Sequence, residues 1–214
     1  MGMGQAVSWM EVDAEPDFHQ EGFSDPWGPP RLSFTKPFIK RATPKTLDRF
    51  SRKFVSVIRY FPEVRGEITI GLTTSYKGLA VMWTDGGCTR WKISFPPLGR
   101  GGLPTRYVIG HELMHIVQAK EGSLPATERS CDVFTLARLP PDFIDHPPMY
   151  LRLSFEVRRS WPSGSSVPLF ANLAHELAIE AVIIRGKNRH YIQWWEREFA
   201  ARMEKMTDEP PMTV

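Results

Sequence analysis

The chain has 214 residues, of which 42% are hydrophobic, 12% aromatic and 24% charged, so it contains enough apolar material for a buried core. This composition excludes a wholly disordered chain and a coiled coil, and the length favours one domain. Two cysteines, Cys88 and Cys131, are too few for a disulfide framework or a four-cysteine zinc site. Any bound metal therefore needs histidine and carboxylate ligands.

No apolar run approaches the ~18–20 residues that cross a bilayer. The first residues also lack a basic region followed by an apolar stretch, which is the pattern of a secretory signal. We therefore expect a cytoplasmic protein that makes no contact with a membrane.

Charge is unevenly distributed along the chain. Residues 1–30 contain six acidic residues and no Lys or Arg, whereas residues 31–53 contain eight basic residues against Asp48 alone. We interpret 1–30, which ends in a proline-rich sequence, as an acidic N-terminal extension and 31–214 as a single domain. The basic segment is either a solvated helix face, a nucleic-acid-binding surface or the place where the extension folds back and restrains the protein.

The first predicted element is a helix at Thr43-Pro44 that continues to Lys53, because Thr caps helices well and Pro suits the first helical position. Strand-like runs follow that are rich in β-branched and aromatic residues, and Asp85-Gly86-Gly87 is a hairpin turn between the last two. We expect these runs to form a small, mainly antiparallel sheet; they cover 55–60, 67–72, 79–83 and 90–95.

After Pro104 the hydrophobic periodicity becomes helical. The first predicted helix ends near Gly122, and the second is terminated by Pro140-Pro141. The predicted helices cover 105–120, 125–138, 167–185 and 189–206. Because strands come first and helices follow, the sequence predicts an α+β fold in which a small sheet precedes the helical part.

The most informative motif is His111-Glu112-Leu113-Met114-His115, in the first of these helices. At about 100° per residue, His111 and His115 lie on one helix face and can bind one cation, with Glu112 beside them. A catalytic zinc ion keeps one position open for a water molecule, whose proton the adjacent carboxylate accepts. A chain of this composition contains about 0.01 accidental matches to the pattern HExxH. The motif therefore predicts a zinc site.

Two histidines are not a complete ligand set, so a third ligand must lie downstream. Glu128 and Asp132 are four residues apart on the second predicted helix and share one face. Glu128 can complete the ligand set, while Asp132 can orient a ligand histidine through its second ring nitrogen. The alternative is a solvent-facing helix surface on which both acids pair with Arg129 or Arg138.

Other polar side chains are candidates for contact with a substrate. His175 and Tyr150 could stabilise an oxyanion or touch the substrate, although each also fits an ordinary polar edge of the protein. Cys131 lies off the face that carries Glu128 and Asp132, so we expect it to be a buried thiol.

At these residues the sequence resembles the gluzincin metallopeptidases, whose pattern is HExxH followed by ExxxD on a second helix. The short interval between His115 and Glu128 is most similar to the minigluzincins, and the run 128–138 also resembles the corresponding helix of the ImmA/IrrE group. The resemblance implies a zincin-like fold, one catalytic zinc ion and a peptide or protein substrate. It also implies that the last sheet strand, 90–95, pairs with an extended substrate.

The sequence thus predicts a zinc-dependent peptidase in which His111, His115 and Glu128 bind the metal and Glu112 activates the metal-bound water. The alternative is a zincin scaffold kept for binding or regulation, which contacts a protein or nucleic-acid partner through its basic segment. A di-iron carboxylate bundle is disfavoured because Asn172 stands where a second ExxH motif would need Glu, and because the first half of the chain is sheet-like.

Overall fold

The computed structural model of the protein describes residues 30–73, 79–85, 88–96, 102–161 and 169–208. These residues form two compact units, one made of 30–52 with the described part of 63–103, the other of 53–62 with the described part of 104–208. The elements in chain order are β1 (Arg31–Phe34), α1 (Lys36–Arg41), α2 (Pro44–Ile58), β2 (Glu67–Leu72), β3 (Leu79–Asp85), β4 (Cys88–Phe95), α3 (Arg106–Glu121), α4 (Glu128–Arg138), α5 (Phe155–Ser160), α6 (Leu169–Ile184) and α7 (Tyr191–Asp208), with a 3-10 turn at Pro141–Phe143.

The sheet of the first unit has the strand order β1-β2-β4-β3. Both the β1–β2 and the β2–β4 pairings are parallel, and only β3 and β4 pair in antiparallel fashion among the described strands. The prediction of a mainly antiparallel sheet is therefore wrong. The chain leaves β1 through α1 and α2 before it enters β2, and a crossover of this kind brings neighbouring strands together in parallel.

The position of β4 in this sheet corrects a second expectation. The strand predicted at 90–95 is present, but it lies between β2 and β3 and pairs with both. Its backbone groups are engaged on both sides, so β4 has no free edge with which to pair an extended substrate. The edge strand on this side of the sheet is β3.

The predicted strand at 55–60 is also wrong, because Val55–Ile58 is the last turn of α2. Phe50, Phe54 and Val57 are buried at helical spacing along this helix, so the apolar periodicity continues past Lys53. The predicted start of the helix is confirmed, since the Thr43 hydroxyl accepts the Thr46 N–H at 3.2 Å.

Aromatic rings fill the core of the first unit. Four phenylalanines from β1, α1, α2 and β4 contact one another with ring centroids 5.2–5.9 Å apart: Phe34, Phe38, Phe50 and Phe95. Buried side chains of β2 and β4, among them Ile68 and Ile93, complete this core. The α1 helix and β1 were not predicted, because both are short and depend on this packing.

The second unit contains the four helices predicted after Pro104, as α3, α4, α6 and α7. Local capping sets their ends: the Thr105 hydroxyl accepts the Val108 N–H at 3.2 Å, and Gly122 ends α3 in a left-handed conformation with φ 59°. Gly110 lets α3 and α4 approach closely, because a Cβ atom there would lie 2.8 Å from Leu139 Cδ1. The close approach brings the faces of α3 and α4 that carry the two motifs together.

Residues 1–29 lie outside the described residues, so the acidic extension and its restraining role stay predictions. The single domain over 31–214 likewise stays a prediction. Among the described helices, none is both long and apolar enough to cross a membrane.

Candidate metal centre

Two imidazole rings and one carboxylate meet between α3 and α4. His111 and His115 are one turn apart on α3, with ring centroids 4.9 Å apart and ring planes at 85°. The Glu128 Oε2 atom, at the start of α4, lies 3.0 Å from His111 Nε2 and 3.2 Å from His115 Nε2. The structure therefore brings the three ligands predicted from the sequence to one point.

The two distances from the imidazole nitrogens to the carboxylate oxygen fit a zinc ion. Tetrahedral zinc with bonds of about 2.0–2.1 Å to nitrogen and oxygen places neighbouring ligand atoms about 3.3–3.4 Å apart. Both histidine-to-carboxylate distances are within a few tenths of an ångström of that value. The His111 side chain is 1% exposed and that of Glu128 is 49% exposed, so the cluster is buried on one side and open to solvent on the other.

Asp132 is completely buried behind His111 and has four polar neighbours. Its Oδ1 atom accepts the Tyr107 hydroxyl at 2.7 Å and lies 2.9 Å from His111 Nδ1. Its Oδ2 atom accepts the backbone N–H groups of Tyr150 at 2.6 Å and Leu151 at 3.1 Å. Because an ionised carboxylate only accepts hydrogen bonds, the His111 Nδ1–H donates to Asp132, and Nε2 is the ring nitrogen that faces Glu128 and the centre, where a metal ion would replace its proton.

The pKa values of the cluster reflect this mixture of burial and charge. Burial lowers the pKa of the His111 imidazole, but its contacts with Cys131, Asp132 and Glu128 raise that pKa and prevail. Burial, followed by the proximity of His111, lowers the pKa of His115. The hydrogen bond with His111 lowers the pKa of Glu128, so this carboxylate is ionised and available as a ligand.

Glu112 lies next to this centre and is 2% exposed. Its Oε2 atom is buried and accepts no hydrogen bond from the described residues, which is costly for a carboxyl group in a protein interior. Burial raises the pKa of Glu112 to about 7. A buried carboxyl group with an unengaged oxygen, beside three candidate metal ligands, has the surroundings that a proton-accepting group needs.

Cys131 is an alternative to Glu128 as the third metal ligand. Its Sγ atom and one nitrogen of each of His111 and His115 lie within 4.8 Å of one another. The thiol is fully buried and donates to the carbonyl oxygen of His111 at 3.1 Å. Burial raises the pKa of Cys131 to about 11, which disfavours the thiolate form that binds metals. The expectation of a buried thiol is confirmed.

Residues Asp145–Leu151 form a loop that borders the cluster. The Asp145 carboxylate accepts the N–H groups of Arg106 and Tyr107, both at 3.0 Å, and so caps the first turn of α3. At the other end of the loop, the Tyr150 ring stacks on His111 with centroids 5.5 Å apart. The Arg158 guanidinium holds the loop by donating to the carbonyl oxygens of Pro148 and Leu151.

Of the two predicted substrate contacts, only Tyr150 touches the cluster in the described structure. His175 Nδ1 lies 2.8 Å from the carbonyl oxygen of Leu136. Leu136 is eight residues after Glu128, or about 12 Å along the axis of α4. The predicted role of His175 therefore has no contact that supports it.

Sequence reasoning missed Tyr107 and the N–H groups of Tyr150 and Leu151 as partners of Asp132. A signal for Tyr107 did exist, because it precedes His111 by four residues and so shares its face of α3. Its place in an apolar run made it resemble an ordinary core residue. No local sequence pattern predicts the N–H groups of Tyr150 and Leu151 as donors, because only the path of the loop brings them to Asp132.

Comparisons with protein-family models, with curated proteins and with solved structures give no match for this chain. The resemblance to gluzincins therefore rests on the two motifs, and the zincin-like fold stays a prediction.

Proposed function

We propose that this chain is a zinc-dependent peptidase that binds the metal through His111, His115 and Glu128. The observation that carries the proposal is the convergence of two Nε2 atoms on one carboxylate oxygen, at separations of 3.0 and 3.2 Å. Glu128 is preferred to Cys131 as third ligand because its carboxylate already touches both rings and faces solvent. A catalytic metal needs that open side for water and substrate.

A zinc ion at this centre would supply Lewis-acid chemistry, polarising a substrate carbonyl and lowering the pKa of a water molecule to about 7. The residues of the chain have separate roles. Glu112 accepts the proton of the attacking water and passes it to the leaving amine. Asp132 fixes the ring of His111. Tyr150, whose ring stacks on that of His111, would donate its hydroxyl to the developing oxyanion.

The test pairs metal analysis with one isosteric substitution. We expect purified protein to bind about one equivalent of zinc, and His111→Ala to lose it. We expect Glu112→Gln to keep the zinc but to cleave an unfolded protein substrate at least about 100-fold more slowly, the usual size of a general-base effect. Glu121→Gln, an exposed change at the end of the same helix, should cleave like the wild type.

Two results would overturn the proposal. Zinc content that is equal in the wild type and His111→Ala would remove the metal site. Equal cleavage by the wild type and Glu112→Gln would assign the activity to a contaminant.

A second candidate function, binding of nucleic acid by the basic segment, rests on a separate observation in the first unit. Lys40, Arg41, Lys45 and Arg49 are exposed on α1 and α2. A surface depression is lined by Lys36, Pro37, Lys40 and Arg41. Within the described part of this segment, Asp48 is the only acid, and it pairs with Arg52.

Fluorescence anisotropy with labelled single-stranded and duplex DNA tests this second function. One variant replaces Lys40, Arg41, Lys45 and Arg49 with Gln. A matched control replaces four exposed cations of the other unit with Gln: Lys187, Arg189, Arg197 and Lys205. If the basic segment contacts phosphates, the first variant should weaken binding and reduce the salt dependence of log K by up to about 0.9 per lost contact. Equal losses in both variants would show non-specific attraction to a cationic protein.

A further inference from the structure

We infer that Tyr107 is a positioning residue of the metal centre, which acts through Asp132 to hold both His111 and the Asp145–Leu151 loop. The inference rests on the proposed zinc site and adds to it a residue that neither motif contains. Tyr107 is fully buried, and its hydroxyl donates to Asp132 Oδ1 at 2.7 Å.

The geometry of the shared carboxylate gives this hydroxyl its role. One oxygen of Asp132 serves α3, because Tyr107 and His111 are one helical turn apart and both reach Oδ1. The other oxygen serves the loop, through the N–H groups of Tyr150 and Leu151. A carboxylate held at both oxygens cannot rotate about its terminal bond, so the direction of each hydrogen bond is fixed.

Removal of the hydroxyl releases one side of this arrangement. The His111 ring would then be the only donor to Oδ1 from α3, and the carboxylate could turn toward the two backbone donors. The ring of His111 would lose its fixed orientation, with its Nε2 atom no longer held toward Glu128. Tyr150, whose ring stacks on His111, depends on the same carboxylate through its backbone.

The phenylalanine variant isolates this effect because it keeps the ring that packs in the core. We expect Tyr107→Phe to bind zinc about 10- to 100-fold more weakly than the wild type in a competition titration with a chelator, as is typical when a partner of a metal ligand is lost. Tyr191→Phe is a matched control. The Tyr191 hydroxyl is also buried, but it has no hydrogen-bond partner among the described residues, so its removal should leave zinc affinity unchanged.

A second readout needs no metal. In metal-free protein, we expect the amides of Tyr150 and Leu151 to exchange with solvent deuterium at least several-fold faster in Tyr107→Phe than in the wild type or in Tyr191→Phe. A change in packing alone would move neither the zinc affinity nor these two amides selectively.

Equal exchange of these amides in all three proteins, or zinc affinity of Tyr107→Phe within twofold of the wild type, would overturn the inference. If the wild type itself binds no zinc, the proposed function fails, and the exchange rates still decide whether Tyr107 holds the loop through Asp132.

Discussion

Replacement of Asp132 by Asn should separate the stability of the protein from its ability to bind metal. Asn keeps the shape of the side chain but presents one accepting oxygen and one donating NH2 group. In the wild type, Asp132 Oδ2 faces two backbone N–H groups, while Oδ1 faces a hydroxyl and an imidazole. The NH2 group of the variant must therefore face one of these two pairs.

The energies decide which pair it faces. Turned toward the loop, the NH2 group would leave the N–H groups of Tyr150 and Leu151 unsatisfied, at about 1–3 kcal/mol each, or about 2–6 kcal/mol together. Turned toward α3, it meets partners that can adapt. The Tyr107 hydroxyl can rotate to accept, and His111 can accept at Nδ1 if its ring proton moves to Nε2. The second orientation is preferred.

This orientation inverts the tautomer of His111, as a change from carboxylate to amide does when it faces a catalytic imidazole. With Nε2 protonated, the ring has no lone pair for zinc. To bind zinc, the ring must move its proton back to Nδ1. This move breaks the new hydrogen bond and brings the Nδ1–H group against the NH2 group of the introduced amide, at a cost of about 3 kcal/mol, which corresponds to a loss of more than 100-fold in zinc affinity. The fold loses about 1–3 kcal/mol, because all four partners keep a hydrogen bond but each of these bonds now involves a neutral amide instead of a charged carboxylate.

Two measurements test this reasoning. Urea unfolding of the metal-free proteins gives the change in stability, and competition with a chelator gives the zinc dissociation constant. Asp142→Asn, which makes the same chemical change at an exposed site, should alter neither quantity. Zinc affinity of Asp132→Asn within threefold of the wild type would refute the argument from the tautomer.

Three further outcomes are expected. Zinc at 1,000 times its dissociation constant should raise the free energy of unfolding by about 4 kcal/mol in urea titrations, and an unchanged midpoint would contradict a folded-state metal site. Glu128→Ala should weaken zinc binding at least about 100-fold, whereas Cys131→Ala should change it less than about threefold; the opposite order would make the thiol the third ligand. Gly110→Val should destabilise the protein by about 1–3 kcal/mol, because the new side chain meets Leu139. Gly186→Ala is the control: its Cβ meets nothing within 4 Å, so the free energy of unfolding should stay within about 0.5 kcal/mol of the wild type. Equal urea midpoints for the two variants would contradict the close packing of α3 on α4.

The sequence predicted those parts of the fold whose causes are local. The ends of α3 follow from Thr105 and Gly122, and the apolar periodicity of α6 and α7 stands out within each segment. Strand directions could not be read in this way, because β1 and β4 become neighbours of β2 only through crossovers. The run at 55–60 was misread since alternating Val55 and Val57 suit a strand, and only the burial of Phe50 and Phe54 extends the helix through them.

The same distinction holds within the candidate site. His111 and His115 could be paired from their spacing on one helix, as could Glu128 and Asp132 on the next. The role of Tyr107 could not be predicted, because a single tyrosine within an apolar helical run is typical of an ordinary core residue. The loop donors depend on tertiary structure, and so does the direction of each carboxylate.

Glu196 connects the candidate metal centre to α7. On α7, its carboxylate binds the guanidinium of Arg129, the residue after Glu128, and accepts the backbone N–H of Arg152 at 2.8 Å. The α7 helix therefore braces both the residue that follows Glu128 and the segment that follows Leu151, so a shift of α7 would reach the candidate centre from two sides.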